Sequence, residues 1–256
     1  MSALQVHQFP CLGDNYGYLV HDPDSGLTAS IDSPDAKAIT RALAERGWIL
    51  DYILNTHHHA DHAGGNLALK ASTGCKIVGA RADADRIPGL DTVVGEGDSF
   101  ALGKHTARII ETPGHTRAHI CYLFEADRAA FVGDTLFSMG CGRLFEGTPA
   151  QMWTSLQKIM QLPDETRIYC AHEYTQSNGR FALSLEPGNP ALLARLREVA
   201  TLRAVDQPTV PSTLGIEKAT NPFLRPASPE LRATLGLAAA TDTEVFAETR
   251  KRKDQF

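Results

Sequence analysis

"NTHHHADHAGG", residues 55–65, places four histidines and an aspartate within the six positions His57–His62. Imidazoles packed this closely repel one another once protonated, so the cluster needs a shared use. The stretch follows the apolar segment "DYILN" (51–55) and precedes "AGGNLALKAS" (63–72), which reads as a helix. The histidines therefore fall where a strand ends and the chain turns. Three other residues occupy the same kind of place. His115 in "ETPGHT" follows the strand "ARIIE", Asp134 in "VGDT" ends the strand "AAFVG", and His172 in "CAHEY" ends "RIYC". In layered α/β sheets, parallel strands share a carboxyl edge, and sites form there. A solvated loop would account for any one of these residues alone. It does not account for all of them after strands. His58 is expected to point away from the others, and His7, His21, His105 and His119 read as structural.

The bulk composition narrows the function. The chain has 256 residues with formal net charge −5, 43% hydrophobic and 21% charged. A mildly acidic chain is a poor match to nucleic acid. No apolar run reaches the ~20 residues that span a bilayer. The start, "MSALQVHQFP", lacks a basic region followed by an apolar stretch, so no secretory signal is expected. The five cysteines are scattered, with no C-x-x-C pair, which argues against a disulfide framework or zinc ribbon and for reduced thiols. The expectation is a cytoplasmic monomer with no membrane and no nucleic-acid partner.

Strand-like and helix-like segments alternate over the first two-thirds. "YGYLVHD", "LTASID", "HICYLFE" and the strands named above are short, β-branched or aromatic, and bounded by turn residues. "DPDSG" (22–26) and "EADR" (125–128) read as hairpin turns. "SPDAKAITRALAERG" predicts a helix with Ser33 as N-cap, Pro34 first and Gly47 as terminator. "TPAQMWTSLQKIMQLP" repeats the pattern from Thr148 and Pro149, with Met152, Leu156, Ile159 and Met160 on its apolar face. After about residue 172 the texture changes. "TQSNGRFALSL", "PALLARLREVATLRAV", "SPELRATLGL" and "TDTEVFAETRKRK" all read as helices, the last opened by a Thr241/Glu244 capping box. The prediction is an α/β (α+β) domain over 1–172 and a small all-helical domain over 173–256.

The residues His57, His59, Asp61 and His62 match the signature H-x-H-x-D-H, and with His115, Asp134 and His172 downstream the set resembles the metallo-β-lactamase superfamily. The resemblance implies an αββα sandwich with the site at one edge. It also implies two divalent metal ions per chain, zinc first, with iron or manganese as alternatives. One ion would take His57, His59 and His115. The other would take Asp61, His62 and His172. Asp134 would bridge them, and Asp61 and Asp134 would be the catalytic carboxylates. Seven donors exceed the three or four of one tetrahedral zinc.

"PCLGDNYGYL", "CGRLFEGT", "NPFLR" and the terminal "KDQF" extend the likeness over the whole chain, and there it resembles the glyoxalase II (hydroxyacylglutathione hydrolase) family. That resemblance implies hydrolysis of the thioester S-D-lactoylglutathione to D-lactate and glutathione by a metal-bridging hydroxide, the second step of methylglyoxal detoxification. It implies Arg143, Tyr174, Arg250 and Lys253 as substrate-binding residues. Phe145 stands where some relatives carry tyrosine, and it has no hydroxyl to donate. Cys141 reads as a packed loop residue, and no G-x-S-x-G elbow is present. The rival readings are a lactonase or β-lactamase of the same superfamily, a glutathione persulfide dioxygenase, and a metal-binding protein without activity.

Overall fold

The computed structural model describes residues 2–256. Packing divides them into two compact units that interleave along the chain. One contains the residues up to Glu111 and Ala118–Gly133; the other contains Thr112–Arg117 and Asp134–Phe256.

The first unit begins with an antiparallel meander of β1 (Gln5–Cys11), β2 (Asn15–His21) and β3 (Thr28–Ile31). The Asp22–Gly26 turn closes on Gly26 N donating to Asp22 O at 2.8 Å. Next come the helix α1 (Ala36–Arg46) and the parallel strand β4 (Tyr52–Leu54). The short helix α2 (Ala60–Ala63) and α3 (Asn66–Thr73) lead to two more parallel strands, β5 (Lys76–Ala80) and β6 (Thr92–Val94). Parallel neighbours need crossover connections; α1 supplies the one from β3 to β4, α2 and α3 the one from β4 to β5, and the segment 81–91 the one from β5 to β6. Ile39 and Leu43 of α1 and Leu69 of α3 cover Leu19, Ile53 and Ile77 of the sheet. Each such side chain contributes roughly 1.5–3 kcal/mol by leaving water.

A second run, β7 (Ser99–Leu102), β8 (His105–Glu111), β9 (Ile120–Phe124) and β10 (Ala129–Gly133), pairs antiparallel throughout. Every residue of β9 and β10 is buried, so the two read as continuous apolar segments rather than alternating ones. Tyr18 of β2 meets Phe131 of β10 edge-on at 5.7 Å, and Tyr122 of β9 donates its hydroxyl to Asn55 O at 3.0 Å. The two sheets thus pack face to face, with α1 and α3 outside the first. Since β8 and β10 both run antiparallel to β9, their carboxyl ends share one edge.

The second unit opens with a tight hairpin, β11 (Leu136–Phe137) and β12 (Gly140–Cys141). The helix α4 (Pro149–Met160) starts at Thr148 and Pro149 as predicted, and Thr148 and Gln151 form a capping box that was not read from sequence. Met152, Leu156 and Ile159 are buried, and Met160 is half-buried. β13 (Arg167–Cys170) pairs antiparallel with β14 (Ser212–Thr213). Around them lie α5 (Thr175–Leu185), α6 (Pro190–Arg203), α7 (Leu214–Thr220), α8 (Pro229–Leu235) and α9 (Asp242–Gln255). The Thr241/Glu244 box opens α9. Trp153 of α4 stacks on Phe246 of α9 at 6.0 Å, Phe246 meets Phe223 at 5.8 Å, and Phe223 stacks on Phe181 of α5 at 6.1 Å. This aromatic chain explains why packing groups α4 with the helices that follow residue 172.

One cap differs from the sequence reading. Ser33 does not cap α1; Asp35 does, its carboxylate accepting from Lys37 N at 2.8 Å and Ala38 N at 3.4 Å. The Ser33 hydroxyl is committed elsewhere, donating to Asn66 Oδ1 at 2.6 Å. The strands β1, β5, β6, β7, β11, β12 and β14 and the helices α2 and α7 were not read from sequence.

Candidate metal centre

The first unit presents His57, His59, Asp61 and His62 just beyond β4. His57 and His62 are buried, whereas Asp61 keeps 41% of its side chain exposed. His57 Nε2 and His59 Nδ1 stand 3.1 Å apart, and the His57 and His62 ring centres 4.0 Å apart. His62 Nε2 lies 3.5 Å from Asp61 Oδ2. Asn15, at the start of β2, donates to the Asp61 carbonyl and to Oδ2, both at 3.3 Å.

What holds these rings is a residue that sequence reasoning passed over. Asp32, buried at the end of β3, accepts from Thr56 N at 2.7 Å, Thr56 Oγ1 at 2.8 Å and His62 Nδ1 at 2.8 Å. A carboxylate that accepts fixes the proton on His62 Nδ1 and leaves the lone pair on Nε2. The Thr56 hydroxyl has one proton, given to Asp32, so at 3.0 Å it accepts from His57 Nδ1. His57 too is left with its lone pair on Nε2. Asn55 supports the turn by donating to His62 O at 2.9 Å, and Asn66 donates to Asn55 Oδ1 at 2.8 Å. The available signal was the buried polar run "SIDSPD" ending a strand, which reads as a helix start instead. His58 stays beside the cluster, its ring 4.8 Å from that of His59, but its Nδ1 is spent on Asp83 Oδ2 at 3.0 Å. His119, read as structural, is buried and stacks on His57 at 4.9 Å.

The second unit presents His115, Asp134 and His172, all buried. Asp134 reaches both histidines with different oxygens: Oδ2 is 3.4 Å from His115 Nε2, and Oδ1 is 3.4 Å from His172 Nε2. His115 Nδ1 donates to the Arg143 carbonyl at 2.9 Å, which fixes its lone pair on Nε2 as well. Tyr174 stacks flat on His172 at 4.7 Å and 2°. All seven expected ligands belong to groups of side chains able to hold a metal ion.

The expected substrate residues also lie in the second unit. Arg143 has a largely exposed side chain, with Nε 3.9 Å from Asp254. Arg250 is 4% exposed, donates to Cys141 O at 2.8 Å, pairs with Asp254 at 2.8 Å and stands 5.1 Å above the Phe223 ring. Lys253 is half-buried over the Phe181 and Phe256 rings, 5.2 Å from each. Burial, then the positive charges of Arg250, Arg180 and Arg143, bring its pKa down to about 8. Arg180 joins this basic group without having been read from sequence. Phe145 is exposed and edge-on to His115 at 5.2 Å. Burial pushes the Cys141 thiol up to about 11, which fits a packed residue rather than a nucleophile.

A model of the metallo-beta-lactamase superfamily matches residues 24–172, and a model of the hydroxyacylglutathione hydrolase C-terminus matches residues 173–256. The chain is 57% identical to a hydroxyacylglutathione hydrolase of Maricaulis maris, covering 100% of both chains. It is 56% identical to one of Methylococcus capsulatus, covering 99% of both. The chain belongs to the hydroxyacylglutathione hydrolase family. As a hydroxyacylglutathione hydrolase family member it has the metallo-β-lactamase fold, in the α/β class, followed by a helical C-terminal region. Among solved structures, ETHE1 from Myxococcus xanthus superposes with a TM-score of 0.69 at 26% identity, covering 96% of this chain and 90% of that one. The B3 metallo-beta-lactamase BLEG-1 gives 0.66 at 21% identity, covering 86% and 100%, and shares the fold.

Proposed function

We propose that this chain hydrolyses S-D-lactoylglutathione and related 2-hydroxyacylglutathiones to the hydroxy acid and glutathione. In this reading His57, His59 and His115 hold one divalent ion, Asp61, His62 and His172 hold the second, and Asp134 is shared. The observation that carries it is the fixed tautomer of three imidazoles: His57, His62 and His115 each have Nδ1 tied to an acceptor and Nε2 left as a donor to metal. Asp134, with one oxygen toward each of two histidines, has the shape of a bridging ligand. Nitrogen and carboxylate donors suit zinc, and also iron or manganese.

Two such ions, when bound, lower the pKa of water toward about 7 and polarise a carbonyl. The chain's own residues do the rest. Asp32 and Thr56 keep the imidazoles oriented, and Asp134 offsets positive charge. The leaving thiol has a pKa near ~8.5, so no dedicated acid is needed. Lys253 and Arg250 grip glutathione's two carboxylates, Arg143 adds a basic contact, and Tyr174 donates a hydrogen bond near the sulfur-bearing residue. Among the described residues no helix is long and apolar enough to cross a membrane; a cytoplasmic monomer remains the proposal. The test is a panel of glutathione thioesters, lactones, β-lactams and glutathione persulfide. Rapid turnover of the thioesters alone is expected. Faster turnover of a lactone or β-lactam, or oxygen uptake with the persulfide, would replace this reading with one of the rivals.

Lys253 offers a sharper test than Arg250, whose bond to Cys141 also supports the loop around it. Lys253→Met should raise KM for the thioester about tenfold, the ~1.4 kcal/mol lower edge of a charge-assisted bond, and leave kcat nearly unchanged. With its pKa near 8, the ammonium is charged at pH 7 and mostly lost at pH 9. Affinity for S-methylglutathione, measured by calorimetry, should therefore fall as pH rises through 8. Lys253→Arg keeps its charge and should flatten that fall. Identical pH profiles for the two proteins would remove Lys253 from the grip.

A further inference from the structure

We propose that Glu217, Asn221 and Asn178 form a buried clamp that positions the β11–β12 hairpin, and through it Asp134 and His115, for the reaction. The inference rests on the reading under Proposed function. The hairpin has two residues in each strand and a turn at Ser138–Met139, with Met139 at φ +53°. So small a hairpin is not stable by itself, and a side chain at positive φ adds strain.

Its polar groups are held from outside by side chains. Glu217, fully buried, accepts from Met139 N at 2.8 Å and Ser212 Oγ at 2.6 Å. Asn221, also fully buried, donates through Nδ2 to Phe137 O at 3.1 Å, Gly140 O at 2.9 Å and Glu217 at 3.1 Å. Asn178 donates to Ser138 O at 3.1 Å. A Cβ on Gly140 would lie 2.3 Å from Asn178 Nδ2, so the turn sits tightly on that amide. Three carbonyls and one N–H of a six-residue loop are thus bound by three side chains from α5, α7 and the segment after α7.

The placement gives this clamp a function. The hairpin starts two residues after Asp134 and ends two before Arg143, whose carbonyl fixes the His115 tautomer. Gly142 transmits position directly: a Cβ there would lie 2.0 Å from the Asp134 carbonyl and 3.1 Å from His115 Nδ1. Cys141 O, at the hairpin's end, receives Arg250. A shift of the hairpin by a few tenths of an ångström therefore reaches two proposed metal donors. Catalytic groups tolerate only about 0.5 Å of misplacement. Glu217, Asn221 and Asn178 are positioning residues.

The experiment compares Asn221→Ala and Asn178→Ala with Leu43→Ala, a core substitution on α1 in the other unit. All three proteins are loaded with cobalt(II). The clamp predicts that Asn221→Ala lowers kcat about 10–100-fold, the loss seen when a ligand's supporting partner is removed. It predicts little change in KM, weaker cobalt(II) binding against a chromophoric chelator, and an altered visible spectrum. Asn178→Ala, which loses one bond, shows the same changes to a smaller degree. It decides the matter if Asn221→Ala fails to fold. Leu43→Ala lowers Tm and leaves spectrum and kcat intact. If both asparagine variants lose only Tm, as Leu43→Ala does, the clamp is merely structural and the inference is overturned. Wild-type protein that binds no cobalt(II) and hydrolyses no thioester would instead overturn the functional reading, and this inference with it.

Discussion

Asp134→Ala is expected to lower kcat by more than about 100-fold, while His58→Ala leaves it nearly unchanged. Both residues belong to the loops that follow strands, and both approach a charged partner, so sequence context alone does not separate them. Geometry does. His58 Nδ1 is taken up by Asp83 at 3.0 Å, and although its ring lies 4.8 Å from that of His59 it belongs to none of the groups of described residues able to hold a metal ion. Asp134 places its two oxygens 3.4 Å from His115 and 3.4 Å from His172. Removing the outer partner of a metal ligand costs about 10–100-fold in activity or affinity; removing a ligand shared by two ions should exceed that. The loss should also leave His115 and His172 without the carboxylate that both approach. Steady-state kinetics on metal-replete variants checks this. Similar small losses from both substitutions would make Asp134 an ordinary turn residue.

The legibility of the site follows from how local each signal is. His57, His59, Asp61 and His62 are four residues in one turn of chain, and their pattern is visible without any long-range contact. Thr148 and Thr241 carry their caps within three residues, so α4 and α9 were readable too. Asp32 was not. Its three donors come from Thr56 and His62, up to 30 positions away. In sequence it is a polar residue in "SIDSPD", where Ser33 looked like the cap. The strand β1 was missed for a related reason. "QVHQFPC" mixes His, Gln and Pro with its apolar residues, and its pairing with β2 rather than its own periodicity makes it a strand. The clamp of Glu217, Asn221 and Asn178 is the extreme case. Its partners lie 40 to 84 positions away, and no local pattern marks a buried carboxylate as the support of a turn.

Removal of metal should abolish turnover and lower the unfolding temperature together, and replete protein should carry two ions per chain. The two readouts test different links. In the proposed reading, activity would depend on the ions because they would supply the nucleophile. Stability depends on mass action: an ion bound to the folded state at 1,000 times its Kd contributes about 4 kcal/mol. At 2–4 °C per kcal/mol for a chain of this size, stripping one such ion should lower Tm by about 8–16 °C. The buried rings explain why the effect should be large. His57, His62, His115 and His172 are each 4% exposed or less, and buried polar groups are costly unless a partner satisfies them. The same donors must be neutral to bind metal. Protons compete with metal for these donors, so metal content should fall as the medium is acidified, and activity should fall with it. Elemental analysis after dialysis at stepped chelator concentrations separates one ion from two. Full activity persisting at one tightly held ion per chain would overturn the shared role assigned to Asp134, while leaving the imidazole frame built on Asp32 in place.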